Sequence, residues 1–403
     1  MFKYLKFAFI KSKVFIIAAT IAGIGVFSCV EEFDPQIIGY GELLVIDGSV
    51  IKGEDMQKVV VSRSTTIADP EYIPVSGCEV IVIDDKGNEF PYAEGRPGEY
   101  KASIPQEYLS YNSKFQLQVT TPNQNVYQSS FEPLFESSPI DSIYYIDESK
   151  QTSTDVYDHG LQFYTDLKAP DDATKNYLWQ LQETWEIRTS YEIEGSWKVD
   201  DYFPPWYNPI DSLRVCWSNA DIKESYTSST ENLVVNEKKK IPLSYIPATS
   251  TKLNVRYSML VKQYSLSDEA YAFHKQANIN EETGSLYQAQ PDQSKSNLVN
   301  INNPEETVLG FFWASSYTEK RVFFDGPLTT YNDNHCKEII VCEPAFGQSL
   351  ISYFRSLGRD LYLIALSFDT EKTDSVTSWG FPSEQICIDC TAEGGSTVKP
   401  NFW

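Results

Sequence analysis

This 403-residue sequence predicts a mainly β protein. Three observations carry that prediction. Short apolar runs recur along most of the chain at the length and alternation of strands. Turn clusters of Gly, Pro, Asn and Asp separate them at short spacing. Aromatic residues make up 14% of the chain, 26 of them Tyr, which suits pleated, half-buried surfaces. The expected architecture is an N-terminal immunoglobulin-like or transthyretin-like β-sandwich. A larger antiparallel β domain follows, sandwich or barrel-like, with one or two short helices. Two domains are the default at this length.

Residues 1–28 come first and are read as removable. Lys3, Lys6, Lys11 and Lys13 precede an apolar run from Val14 to Phe27, broken only by Thr20. That order is a secretory signal, too short to span a bilayer comfortably. Val26, Phe27 and Ser28 then place an aliphatic residue at −3 and a small one at −1 before Cys29. This is the pattern of a bacterial lipobox, with Phe27 bulkier than usual. Cys29 is therefore read as the lipid-bearing N-terminus of the mature chain. Acyl chains such as palmitate would hold it to a membrane at about 0.8 kcal/mol per buried CH₂. The alternative is an ordinary signal followed by a free or bridged cysteine. Residues 29–39 form a tether with Glu31, Glu32 and Asp34. The cluster resembles the export signal of surface lipoproteins of Bacteroidota. The expected location is the outer membrane, lipid-anchored and facing the exterior.

Removing the signal removes four lysines and no acids, so the formal charge goes from −23 to −27. Nucleic acid is excluded as a partner on this ground, because phosphate contacts need clustered Lys and Arg.

Residues 40–138 are read as the sandwich. The strands are ELLVIDGSV, QKVVVSRS, CEVIVIDDKGNEF, GEYKASI, KFQLQVTTP and NVYQSSF. Asp85-Lys86-Gly87-Asn88 supplies hairpin chemistry inside the third. Six or seven strands in roughly 100 residues suit a sandwich. The boundary is placed near PLFESSPIDS, where prolines and small polar residues cluster.

Residues 139–403 are read as the larger domain. SIYYID, GLQFYTDL, YLWQLQETWEI, LRVCWS, KLNVRYSMLVKQY, TVLGFFWASS and RVFFD read as strands. SLSDEAYAFHKQANI is the clear helix. Ser265 or Ser267 can cap it, and Asp268 and Glu269 fill its first turn. Leu266, Ala270, Phe273 and Ala277 make its apolar stripe. EPAFGQSLISYFRSLGRD holds a second helix ended by Gly358.

Six cysteines remain beyond Cys29. An even number in an oxidising compartment favours disulfides. The candidates are Cys336, Cys342, Cys387 and Cys390, with Cys216, in a connectivity the spacing does not decide. Two such pairs could also hold zinc, but exported proteins meet oxidants first. Cys78 sits in a strand-like run and is read as a buried thiol.

No catalytic residues and no cofactor are assigned. His159, His274 and His335 are far apart and outside any ligand-spaced motif. Asp171-Asp172 and Asp200-Asp201 are explained by turns and solvation. DDKGNE lacks the spacing of a twelve-residue calcium loop. The segment GSWKVDDYFPPWYNP carries Trp197, Tyr202, Phe203, Trp206 and Tyr207 among prolines that forbid a central strand. It reads either as a partner or sugar-stacking surface, or as a loop folded over the core. At the far end, Phe402 and Trp403 are costly to leave in water and are expected to tuck into the domain.

The mature chain resembles, essentially end to end, the domain of unknown function 4249 family of Bacteroidota lipoproteins. LLVIDGSV, PVSGCEVIVIDDKGNEF, PIDSIYY and YLWQLQETWE carry the resemblance. So do RYSMLVKQYSLSDEAYAFHKQ, TGSLYQAQP, NINNPEETVLGFFWASS, EKRVFF and CIDCTAEGGSTVKPNFW. Thr391 stands where the family usually has Arg. The resemblance implies an outer-membrane lipoprotein with no assigned enzyme activity. It implies a surface accessory or ligand-binding partner of a TonB-dependent receptor. A structural or assembly component is the alternative, and a glycan or peptide hydrolase ranks below both.

Overall fold

Alternation in the sequence becomes strand register. In β4 (Glu79–Asp84) and β7 (Lys114–Thr120) every second residue is buried, because successive side chains leave opposite faces of the pleat. The computed structural model describes residues 43–65, 71–153, 156–283, 296–328, 334–343, 346–368, 376–392 and 394–403. Cys29, the signal and the acidic tether lie outside them. So does TGSLYQAQP beyond its first residue.

The first region contributes β1 (Leu44–Lys52), β2 (Gln57–Arg63), β3 (Ile73–Pro74), β5 (Glu89–Arg96), β6 (Glu99–Ala102), β8 (Val126–Ser129) and β9 (Glu132–Pro133) beside β4 and β7. Their order is β1-β2-β6-β5-β4-β7-β8. Ile46, Val61, Val82, Phe115 and Leu117 from both halves of that path meet in one core. The β4–β5 hairpin turns where expected. The Asp84 carboxylate accepts the Lys86 and Asn88 N–H groups at 2.9 and 2.7 Å.

The second region builds a second core between two sheets. β10 (Ile140–Ser153), β11 (Val156–Lys168) and β15 (Glu237–Pro247) form one of them. The other carries β14 (Val215–Ser229), β12 (Asn176–Arg188), β16 (Arg256–Leu266) and the later half of β19 (Phe312–Asp325) in that order. Phe163, Trp179, Leu181, Ile241, Tyr257 and Val261 fill the space between.

A shared strand joins the regions. The start of β19 lies parallel to β1, from Gly48↔Phe312 to Lys52↔Ser316. Its later part lies antiparallel to β16. β17 (Leu298–Asn300) pairs with β8, and β18 (Val308–Leu309) lies parallel to β1. One 15-stranded sheet therefore crosses the expected boundary near 138, and Glu42–Trp403 makes one compact unit. The 15-stranded sheet is mixed, through the parallel pairs of β1 with β18 and β19, whereas the two smaller sheets are antiparallel, and among the described residues none closes into a barrel.

Both expected helices form. α1 (Asp268–Thr283) is capped by Ser267, whose Oγ accepts the Ala270 N–H at 3.1 Å. Leu266, Ala270 and Phe273 pack with Phe311 and Trp313. α2 (Leu350–Leu357) runs from a Ser349 cap to Gly358, which sits at φ +66°. It covers a small sheet of β13 (Gly195–Trp197), β21 (Leu361–Phe368), β22 (Val376–Pro382) and β20 (Ile339–Val341). Among the described residues no helix is long and apolar enough to cross a membrane.

Candidate functional site

The aromatic segment splits into a buried part and an exposed part. Trp197 is only 1% exposed and stacks on Phe354 of α2 at 5.2 Å. It belongs to the core of the small sheet, which corrects its place among the interface candidates. The reason is register: Trp197 pairs with Leu361 on the face of the small sheet that α2 covers. Tyr207 is half-buried against Phe368. Tyr202, Phe203 and Trp206 are 79%, 75% and 64% exposed.

The loop that carries them is tied down at several points. The Val199 N–H donates to Asp360 Oδ1 at 2.9 Å. The Lys198 N–H donates to Asp201 Oδ2 at 2.8 Å. Arg355 donates to the Asp201 carbonyl and lies over the Tyr202 ring. The Asn208 N–H returns to the Glu194 carbonyl at 2.7 Å. Pro204 and Pro205 restrict what lies between. The result is three apolar rings held in water on a braced loop, which suits a contact surface.

Four of the five cysteine candidates pair, as Cys216–Cys390 and Cys336–Cys387. Five candidates had to leave one over, and it is Cys342. This cysteine is a free thiol, buried among Trp197, Phe354 and Phe381. That placement corrects its candidacy, since no partner thiol enters this apolar cluster. Burial pushes the Cys342 thiol up to about 12. Cys78 is also free, and burial raises its pKa as well.

The disulfides pin the C-terminal segment, and its end docks on the β16–β19 face. Trp403 Nε1 donates to Glu186 Oε2 at 3.1 Å. Its ring meets Phe323 edge-on, and Arg321 lies over Phe402 at 3.6 Å.

The remaining sequence candidates do not converge. His159 bonds Ser149 Oγ at 2.8 Å on the β10–β11 hairpin. His274 is on α1, and the His335 side chain lies outside the described residues. Asp171-Asp172 form the turn after β11, and Asp201 caps its own loop. Among the described residues no three His, Cys, Asp or Glu side chains gather as a metal site.

Sequence reasoning missed a polar cleft between β14 and β15, the outer strands of the two sheets. Its volume is about 730 Å³, within the range of ligand pockets. At its base lies Glu183 of β12, 4% exposed. Glu183 forms an ion pair with Lys252 and accepts a hydrogen bond from Tyr257 Oη at 3.1 Å. Lys252 also lies 4.8 Å from the Trp185 ring centroid. Burial, and then the neighbouring charges of Glu224 and Glu183, push the Tyr226 hydroxyl pKa up. The Tyr226 hydroxyl lines the cleft as a donor, while the Tyr257 hydroxyl already gives its one proton to Glu183. A second cleft of about 350 Å³ adjoins the first and shares Ser250 and Lys252 with it. This arrangement can hold a polar ligand by charge-assisted hydrogen bonds. One signal in the sequence pointed to it: Glu183 occupies the inward phase of β12, between Leu181 and Trp185.

A family model described as "Domain of unknown function (DUF4249)" matches residues 30–321. Among curated proteins none matches the chain.

Proposed function

We propose, from the premise that the chain belongs to the DUF4249 family, that it works at the cell surface as a lipoprotein anchored through Cys29. In this reading it is a non-enzymatic accessory or ligand-binding partner of a TonB-dependent outer-membrane receptor. The observation that supports the reading best is the braced loop with Tyr202, Phe203 and Trp206 exposed. Solvent-facing rings on a loop that is already ordered lose little entropy on docking. Aromatic anchors of this kind dominate the energetics of protein interfaces.

The test is affinity purification of the tagged lipoprotein from detergent-solubilised outer membranes, with mass spectrometry of what accompanies it. Two variants run beside it: Cys29→Ala, and the triple change Tyr202→Ala, Phe203→Ala, Trp206→Ala. A stoichiometric barrel with the intact protein, depleted in both variants, supports the accessory role and the loop as its contact. A barrel retained by the triple variant moves the contact elsewhere. Absence of any barrel from the intact sample sinks the accessory reading.

A further inference from the structure

The cleft between β14 and β15 has features that a solvated gap between two sheets does not require. Both strands are sheet edges. Among the described residues β14 pairs only with β12 along its length, apart from a single bridge of Trp217 to Ser396, and β15 pairs only with β11. An edge strand presents unpaired N–H and C=O groups at regular spacing. Both walls are also bulged at the cleft. In β14 the pairing slips between Trp179↔Tyr226 and Leu181↔Ile222. In β15 it slips between Gln162↔Tyr245 and Tyr164↔Pro242. Bulges concentrate beside sites where side chains must be re-aimed.

The β15 bulge is held open by a dedicated residue. Gln162, 3% exposed, donates its side-chain amide to the carbonyls of Leu243 and Ser244 at 2.8 and 3.2 Å. Ser244 lines the cleft and is 7% exposed, and its hydroxyl has no hydrogen-bond partner among the described residues. A buried hydroxyl without a partner costs the fold stability unless something bonds it. Beyond one end of the lining the Lys238 ammonium of β15 donates to Ser228 of β14 at 2.7 Å. From there the cleft follows β14 toward Ser218, which lines the adjoining cleft. Charges of both signs line it: Lys150, Lys223 and Lys252 together with Glu183, Asp221 and Glu224.

We propose that this groove binds an extended polypeptide segment of about six residues, added as a strand to the free edge of β14. Three observations select a peptide. The free edge offers alternating donors and acceptors that match a peptide backbone. The groove runs along a strand. Its lining carries both charges, as a mixed-charge peptide with its own termini requires. In the bound state Ser244 and the Glu183–Lys252 pair supply side-chain contacts to the inserted strand.

The test uses the full mature chain and two defined probes, a random-sequence hexapeptide pool with free termini and a neutral glucose hexasaccharide. Hydrogen exchange of β14 amides and retention on size exclusion are read together. The expected result is retention of peptides, with exchange of amides in Asn219–Tyr226 slowed at least about tenfold. Lys252→Met is expected to weaken retention about tenfold or more, the loss of a charged hydrogen bond. Because that change leaves Glu183 buried and unpaired, the double variant Glu183→Gln, Lys252→Met is measured beside it. The double variant removes both charges, so it separates loss of binding from loss of fold. Weak retention by a folded double variant supports the proposal. Full retention by it overturns the role of the pair. Retention of the hexasaccharide in place of peptides overturns the ligand class, and protection confined to strands other than β14 overturns the edge. Retention of neither probe overturns the site.

Discussion

Single residues in this protein hold groups in protonation states they would not keep in water. His274 of α1 is the clearest. Its ring meets Phe273 and Trp313 edge-on at 5.5 and 5.3 Å, and its buried Nε2 has no hydrogen-bond partner among the described residues. Burial pushes its pKa from 6.5 down to about 4. Between those values the unfolded chain binds a proton that the folded chain refuses. Stability from this group is thus full above pH 6.5 and is lost as pH falls toward 4. The loss should reach up to about 3 kcal/mol. Urea titrations across that window should show the slope, and His274→Phe should flatten it. An unchanged slope would mean that other groups carry it. Cys342 gives a second residue-scale expectation. With its thiol pushed up to about 12, very little thiolate exists at neutral pH. Iodoacetamide should label it only after unfolding, and a non-reducing digest should yield the Cys216–Cys390 and Cys336–Cys387 peptides. A bridged Cys342 peptide would refute the assignment.

At the scale of elements, the N-terminus of α1 is tied to the first region. Ser267 Oγ accepts from Ala270 and donates to Glu132 Oε2 at 2.7 Å. Glu132 is 3% exposed, and burial raises its carboxyl pKa. Ser267→Ala removes a cap and one of the bonds that a buried carboxyl depends on. It should cost about 1–3 kcal/mol in chemical denaturation, with Ser267→Thr recovering most of it. If alanine proves neutral, the cap is not what holds α1 in place. Elements of this kind were legible in the sequence. The strands, the Asp84–Asn88 hairpin, the Ser267 cap and Gly358 depend on neighbours within a few residues. Pairing was not legible. Nothing local in ELLVIDGSV says that it lies parallel to the start of β19, 264 residues along the chain from Gly48 to Phe312. The cleft was half-legible. Glu183 broke the inward phase of β12, but Lys252 and Tyr257 reach it only through the tertiary fold. Cysteine connectivity followed the same rule, since the bridges join elements 174 and 51 residues apart.

At the scale of the molecule, β19 decides how the protein unfolds. Its first residues complete the sandwich beside β1, and its later ones complete the second core beside β16. Leu298, Val308, Phe312 and Ala314 lie in the same core as Ile46 and Val61. A fragment of residues 43–138 would expose that core and the free edge of β1, and should not fold alone. The intact mature chain should then lose both regions in one transition. Calorimetry gives the check, with calorimetric and van't Hoff enthalpies agreeing. A single-residue change sharpens it. Gly310, between β18 and β19, sits at φ +92°, and a Cβ there would lie 2.0 Å from the Ile46 carbonyl oxygen. Gly310→Ala must therefore displace β19 from β1, which belongs with the exceptional losses above about 4 kcal/mol. If β19 couples the regions, this variant lowers near-ultraviolet signals from Trp179 and Trp185 in the second region together with those of the first. Two separate transitions, with the second region melting as in the unaltered chain, would show that the shared strand joins the regions in space but not in energy.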